Sequence, residues 1–304
     1  MTDSRRWSAL VAAVVLAVTG CARVDAAPGP APAAPSASPA ADMARLIVRD
    51  GDLVEASGTV LAAPGGPVRF CAPAPTTAIG GGPPVPDCSV GVPVLGVDLN
   101  RLAEAGRYEK TRFGRARLRG EWRSGTLRVT EQGPPVAATL EPAEPTPCRP
   151  PDGGWQRGPL GDTNRVFEYV ESRHPDRFRR PWVTYPRGAT RDETPMAGAT
   201  EVLVIEVVRG DVDGARRDLA ALYAGNLCVV GRAGAKSLAD QRGLHEAVQP
   251  ELTAIMEDAA NGVYASGSED TVSVEMLMLT PALHGRLTAI SADGITAVPW
   301  LRPL

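Results

Sequence analysis

The chain has 304 residues, a formal net charge of −3 and 43% hydrophobic residues. This much apolar surface excludes a chain that is disordered throughout. The charge excludes a general nucleic-acid binder, whose binding domain would be strongly basic. Only Lys110 and Lys236 among the 32 basic residues are lysine. With abundant Ala, Gly and Pro, this Arg excess indicates a GC-rich coding sequence, so a single Arg carries little weight as a site residue.

Residues 1–20 have the pattern of a signal peptide. Two Arg residues precede an apolar run at 7–18, which is shorter than the roughly 20 residues that a membrane-spanning helix needs. The run leads into Val18-Thr19-Gly20-Cys21, which resembles the lipobox of bacterial lipoproteins. The resemblance implies cleavage before Cys21, lipidation of its thiol with chains such as palmitate, and anchoring at the outer face of the cell membrane. A secretory signal with a chance Cys is the alternative, and the Sec and twin-arginine routes both stay open.

Residues 21–42 follow as an Ala/Pro-rich tether. Such a segment cannot bury a core and is expected to run extended. We expect the folded protein to begin near Met43.

Beyond Cys21 the chain has four cysteines, Cys71, Cys88, Cys148 and Cys228. An even number in an exported protein predicts two disulfides. We favour Cys71–Cys88, which closes a Gly/Pro-rich loop, and Cys148–Cys228, which ties the start of a second domain to its core. The sequence has no CxxC pair, so we expect neither a zinc site nor a redox site, and we predict no cofactor.

Residues 43–132 are predicted to form an all-β domain. Its short strands, at 46–49, 52–62, 67–72, 92–99, 114–122 and 126–131, alternate with Gly-rich turns, which favours a small barrel or sandwich. The segments GTVLAAPGGPVRFC and GRARLRGEWRSGTLRVT loosely resemble strand pairs of OB-like barrels. Residues 133–153 are rich in Pro and are predicted to connect this domain to the next.

Residues 154–304 are predicted to form an α+β domain. A helix is expected at 163–173, and a β-α-β unit at 201–231, with Asp211 as the N-cap of its helix. A further helix begins at Ser237, and Pro250 is expected to kink or split it. Strands at 271–280, 286–291 and 294–299 would then form a meander. We expect one four- or five-stranded sheet with helices on one face.

The two folded domains resemble secreted actinobacterial proteins that have no assigned activity. The segments that carry the resemblance are GGW at 153–155, YVESRHPDRFRRPWVTYP, NLCVV, VEMLMLTPALHGRLTAI and the ending VPWLRPL. The resemblance implies export and carries no chemistry.

Two groups of Arg are the main candidate binding features. Arg115, Arg117 and Arg119 alternate with smaller residues, which would place three guanidinium groups on one face of a strand. Arg177 and Arg180 lie in a second group near Trp182. Guanidinium groups suit phosphate and carboxylate, so both groups are candidate anion sites, although a solvated strand face and a solvated loop are the alternatives.

Catalytic motifs are scarce. His174 and Asp176 are the one histidine–carboxylate pair that we single out, as a metal ligand or base, and we favour the alternative that they are a helix end with a surface histidine. We therefore predict a membrane-anchored envelope lipoprotein of binding or scaffolding type, and we favour this over an enzyme. Its partner would be an envelope protein or an anionic envelope component, and not nucleic acid. A cell-envelope hydrolase with His174 and Asp176 in its site is the alternative.

Overall fold

The computed structural model describes residues 39–73, 88–136, 145–158, 160–186 and 200–304. The predicted signal peptide, Cys21 and most of the tether lie outside these residues. The described residues fall in one compact unit. Its described helices and strands give a mixed α+β fold, which confirms the predicted class. In the part of the chain that is described, no helix has the length and apolar character to cross a membrane.

The largest sheet is formed mainly by residues 53–133. Its strands pair in the order β13-β1-β2-β3-β6-β5-β4, and β1 also pairs with β5, so the pairing runs from β1 through β2, β3, β6 and β5 back to β1. Only β3 and β6 pair in parallel. The elements are a short helix α1 (Pro39–Ala44), β1 (Leu53–Ala62), β2 (Val68–Cys71), β3 (Gly91–Leu95), β4 (Ala103–Tyr108), β5 (Thr111–Arg123), β6 (Thr126–Gly133) and β13 (Arg302–Pro303).

Alternation of buried and partly exposed residues explains this sheet. In β1 and β5 every second side chain is buried, and these pack with Phe70 and Leu127 in one core. Gly120 lies where the register between β5 and β6 shifts, and a Cβ there would lie 2.0 Å from the carbonyl oxygen of Arg128. The predicted strand at 46–49 is wrong, since only Ile47 forms a bridge, and β4 was not predicted.

The second sheet follows a short helix. Its order is β7-β8-β9, with β7 antiparallel and β9 parallel to the central β8. The elements are α2 (Asn164–Phe167), which continues as a π-helical turn (Glu168–Arg173), β7 (Trp182–Thr184), β8 (Val202–Val207), α3 (Val212–Leu222) and β9 (Leu227–Gly231). The β-α-β unit is thus confirmed, with Asp211 accepting hydrogen bonds from the N–H groups of Asp213 and Gly214.

The third sheet repeats this arrangement of helix, two antiparallel strands, helix and parallel strand. Its order is β10-β11-β12, and β11 and β12 are parallel. The elements are α4 (Leu238–Glu257), a 3-10 turn (Ala259–Asn261), β10 (Val263–Ser268), β11 (Val272–Met276), α5 (Pro281–Ile290) and β12 (Ile295–Pro299). Described residues after 154 therefore form two three-stranded sheets, and the expected single four- or five-stranded sheet is wrong.

The predicted meander is also wrong, because residues 281–290 form a helix. Thr280 caps this helix by accepting from the N–H of Leu283, and Pro281 occupies its first turn, where a missing N–H costs nothing. Leu283 and Leu287 are one turn apart and both buried. Pro250 does not split α4, which continues to Glu257.

Residues 300–304 return to the first sheet. The indole N–H of Trp300 donates to the carbonyl oxygen of Ser57 at 2.9 Å, and its ring centroid lies 4.6 Å from that of Phe70. Leu301 is fully buried in the core of the first sheet. The division into domains at 43–132 and 154–304 stays a prediction, and β13 is one element that crosses it.

Candidate functional site

The two favoured disulfides are present. Cys71 is bonded to Cys88 and Cys148 to Cys228, so this prediction is confirmed. Structural disulfides persist in oxidising compartments, which indicates an extracytoplasmic environment.

The three arginines of β5 lie on one face, as predicted, but each has an acidic partner. Arg115 lies 3.5 Å from Glu104, Arg117 lies 3.2 Å from Glu131, and Arg119 lies 2.7 Å from Glu55 and 3.4 Å from Glu131. The hydrogen bond to Glu55 raises the pKa of Arg119 above its ordinary value. Three carboxylates thus balance three guanidinium groups, and the positive field that would attract an anion is largely cancelled.

The second Arg group divides between two places. Arg177 lies over the ring of Phe178, with its guanidinium carbon 5.2 Å from the ring centroid. Arg180 is exposed and lines a separate charged cleft. Arg177 is not among the residues that line this cleft.

His174 and Asp176 follow the π-helical turn. The His174 ring packs against Tyr169, with centroids 4.5 Å apart. The Asp176 carbonyl oxygen accepts from Arg209 at 2.9 Å, and its side chain is exposed. Among the described contacts there is no hydrogen bond between the imidazole and the carboxylate, so the two residues form part of a turn that docks on Arg209.

The charged cleft lies between the second sheet and the β10–β11 turn, with a volume of about 470 Å³. Glu206 lines this cleft, and its side chain is 8% exposed and lies 3.1 Å from Arg179 and 3.7 Å from Arg232. Arg179 also lies 3.1 Å from Asp270 in the β10–β11 turn. Because a buried carboxylate is costly without partners, this network holds the turn against the second sheet.

A larger concavity, the β9 groove, runs along β9 and has a volume of about 960 Å³. We define it by Arg149, Trp155, Arg216, Ala220, Ala224 and Val229, which are among the residues that line it. One wall is the end of α3, and the other is the segment 148–156.

A disulfide and a pair of hydrogen bonds hold the wall at 148–156 in place. The disulfide joins Cys148 to Cys228 in β9. At the other end, the amide side chain of Asn226 accepts from the Gln156 N–H at 2.9 Å and donates to the Gln156 carbonyl oxygen at 2.8 Å. The groove is therefore preformed, which lowers the entropic cost of binding.

Tyr223 lines the groove where α3 ends. Its side chain is almost fully buried, and this burial raises the pKa of the phenol above its ordinary value. The hydroxyl consequently stays protonated near neutral pH and can act only as a neutral polar group.

Comparison with protein-family models, curated proteins and solved structures finds no match for this chain. Within the described residues, no three His, Cys, Asp or Glu side chains are grouped so that they could hold a metal ion.

Our sequence analysis did not identify the β9 groove or Glu206. A signal for Glu206 existed, since a single acid within the apolar run VLVIEVV predicts a buried charge that needs a partner. The groove had no such signal, because its walls are 70 residues apart in the chain at the Gln156–Asn226 contact.

Proposed function

We propose that this protein is an exported lipoprotein, held at the outer face of the cell membrane by lipid on Cys21, that binds an envelope protein without catalysis. The observation that carries the proposal is the preformed β9 groove, a concavity of about 960 Å³ with one wall fixed by a disulfide. The lipobox resemblance and the two disulfides support the location.

A protein partner is favoured over an anionic polymer by the charges on β5. The predicted anion site at Arg115, Arg117 and Arg119 has three acidic partners on the same face. An incoming polyanion would have to displace these carboxylates, whereas the β9 groove offers both apolar and polar contacts.

We also propose that the first sheet is an OB-like barrel, as the sequence suggested. The circular pairing β1-β2-β3-β6-β5-β1 and the parallel pair β3–β6 support this, since closing a sheet removes its open edges.

The anchor is tested by replacing the thiol. In cells fed a clickable palmitate analogue, we expect the full chain to be labelled and to pellet with membranes, and the Cys21→Ala chain to be neither. Label on the Cys21→Ala chain would contradict lipidation at this position.

The binding function is tested with a photo-crosslinking amino acid on α3. Ala220 lines the β9 groove, and the neighbouring Ala221 is also exposed but does not line it. In intact cells, we expect the crosslinker at 220 to give a defined protein adduct and the crosslinker at 221 to give none. Equal adducts from both positions, or none from 220, would overturn the proposal.

A further inference from the structure

We infer that the β9 groove takes an extended segment of a partner polypeptide, which adds as a fourth strand to the outer edge of β9. The inference rests on the proposed function and specifies the chemistry of the partner. Three observations support it: the direction of the β9 backbone groups, the small residues that flank them, and a comparison of β9 with β12 of the third sheet.

The backbone of β9 presents hydrogen-bonding groups to the groove. The N–H of Leu203 donates to Asn226 O at 2.9 Å, and the N–H of Arg232 donates to Val207 O at 2.8 Å. Alternate residues of a strand address the same neighbour, so residues 226, 228, 230 and 232 face β8. Residues 227, 229 and 231 therefore turn their N–H and C=O groups away from β8.

Within the described residues, these outward groups have almost no hydrogen-bond partners. In the described part of the chain β9 pairs with no strand other than β8, and the outward carbonyl oxygen of Val229 accepts from Arg216 at 3.0 Å. Outward groups repeat every second residue, at roughly 6.6 Å. An extended backbone is the ligand that matches this period, and a compact ligand would reach only one pair of groups.

The residues beside β9 leave room for a second backbone. On the α3 side, Ala220, Ala224 and Gly225 line the groove. On the other side Gly153 and Gly154 line it, and a Cβ at either glycine would have no atom within 4 Å. Side chains of an added strand would alternate between these two sides, where the partly exposed Trp155 provides apolar surface.

The third sheet shows what a protected edge looks like in the same arrangement. By the register of the two parallel pairs, β12 corresponds to β9, and Pro299 occupies the position of Gly231. A proline has no N–H to offer another strand, and its carbonyl oxygen accepts from Arg302 at 3.0 Å. The β9 edge lacks this proline and keeps its donor at 231.

The charged residues that line the groove favour a particular kind of peptide sequence. Arg149 is exposed in the groove and has no ion-pair partner among the described residues, and Arg216 lines the same groove. Asp152 is the acidic lining residue. We therefore expect the bound segment to alternate apolar residues with others that include an acid positioned to reach Arg149.

The probes for the test are synthetic nine-residue peptides, obtained by panning a displayed random library against the full chain in mild detergent. The best binder is then synthesised with a single N-methyl group at each position in turn. If the peptide pairs with β9, methylation at alternate positions should weaken binding by about tenfold, because each methyl group removes one hydrogen bond worth about 1.4 kcal/mol. Methylation at the positions between should have little effect. A library that yields no binder, or methylation effects without this alternation, would overturn the inference.

The matching protein variant is Gly231→Pro, which copies Pro299 and removes an outward donor without touching the β8–β9 ladder. We expect at least a tenfold loss of peptide affinity, with an unchanged unfolding midpoint. Unchanged affinity would overturn the inference, and if the variant fails to fold the N-methyl series on the wild-type protein decides.

Two other results would show which part of the proposal has failed. If Ala220 crosslinks to a partner in cells but no peptide binds, the binding function holds and the added strand is wrong. If the full chain forms dimers that Gly231→Pro dissolves, the edge pairs with a second copy, and the inference of a partner polypeptide is wrong.

Discussion

At the scale of single residues, the acidic partners of the arginines determine which guanidinium groups are available to bind a ligand. The β5 arginines were correctly predicted to share a face, because alternation is a local property of a strand. Their partners could not be predicted, since Glu55 and Glu131 come from other strands and are brought into place by the register. The pairing of Arg179 with Glu206 was missed for the same reason.

We predict that Arg179→Met destabilises the protein far more than Arg123→Met. Glu206 is 8% exposed and would keep only Arg232, at 3.7 Å, so the cost should approach the roughly 3 kcal/mol typical of a broken buried pair. Arg123 and Glu121 form an exposed pair, and its loss should cost about 0.5 kcal/mol or less. Urea unfolding of both variants measures the difference, and similar free energies of unfolding would show that Glu206 does not depend on Arg179.

Two glycines give opposite predictions for the same substitution. At Gly120 an added Cβ would meet the Arg128 backbone, so Gly120→Ala should lower the free energy of unfolding by about 3 kcal/mol. Gly243 lies in the exposed part of α4 with no atom within 4 Å of an added Cβ. Gly243→Ala should therefore raise stability by about 0.5–1 kcal/mol. Thermal unfolding checks both, and a stable Gly120→Ala protein would disprove the close approach of β5 and β6.

At the scale of elements, local signals explain what was predicted well. The N-caps at Asp211 and Ser237 and the apolar run of β8 mark α3, α4 and the β-α-β unit within a few residues of where they lie. The helix α5 was missed although Thr280-Pro281 is a start signal, because its two β-branched residues and its short length resemble a strand. β4 was missed because none of its residues is fully buried, and alternation then gives no signal.

The start of α4 should confer a pH-dependent stability. The Ser237 backbone N–H and hydroxyl both donate to Asp240, and these bonds, with Arg209, hold the pKa of Asp240 below its usual value. A carboxyl with a lowered pKa in the folded state stabilises above its unfolded pKa of about 3.9, and this contribution is lost as the pH falls through the folded pKa. In urea unfolding at pH 7, 5 and 3, wild type should exceed Asp240→Asn by a margin that is constant from pH 7 to 5 and shrinks at pH 3. A margin that grows on acidification would contradict this assignment.

The disulfide beside the groove should affect both stability and binding. Cys148 and Cys228 are 80 residues apart, so removing the link with a double Ala variant should cost about 4 kcal/mol through the entropy of the unfolded chain. Cys71 and Cys88 are 17 apart, and their loss should cost about 3 kcal/mol. Denaturant unfolding gives the two costs. Only the variant without Cys148–Cys228 should also reduce the crosslink from position 220. An unaffected crosslink would show that the wall at 148–156 keeps its position without the disulfide.

At the scale of the whole molecule, the first and third sheets are joined by residues 300–304. Trp300 connects Ser57 and Phe70 of the first sheet to the segment after β12. The sequence could not predict this return, because a contact over 243 residues leaves no local pattern.

We predict that Trp300→Ala lowers the free energy of unfolding by about 3 kcal/mol and that wild type unfolds in a single transition. Leu304→Ala is the control, since Leu304 is 62% exposed and its loss should have little effect. Near-UV and far-UV circular dichroism during heating should give coincident curves. Two separate transitions, with Trp300→Ala moving only one, would show that the predicted domains fold independently.

The pairing of β1 with β13 also sets the order in which the protein can mature. Val54 faces Pro303 across this pair, so one of the first strands to be synthesised keeps an incomplete edge until almost all of the chain has followed. Contacts so distant in sequence form late and slowly. Chains arrested before residue 302 would therefore carry an open edge at β1, which is a template for aggregation.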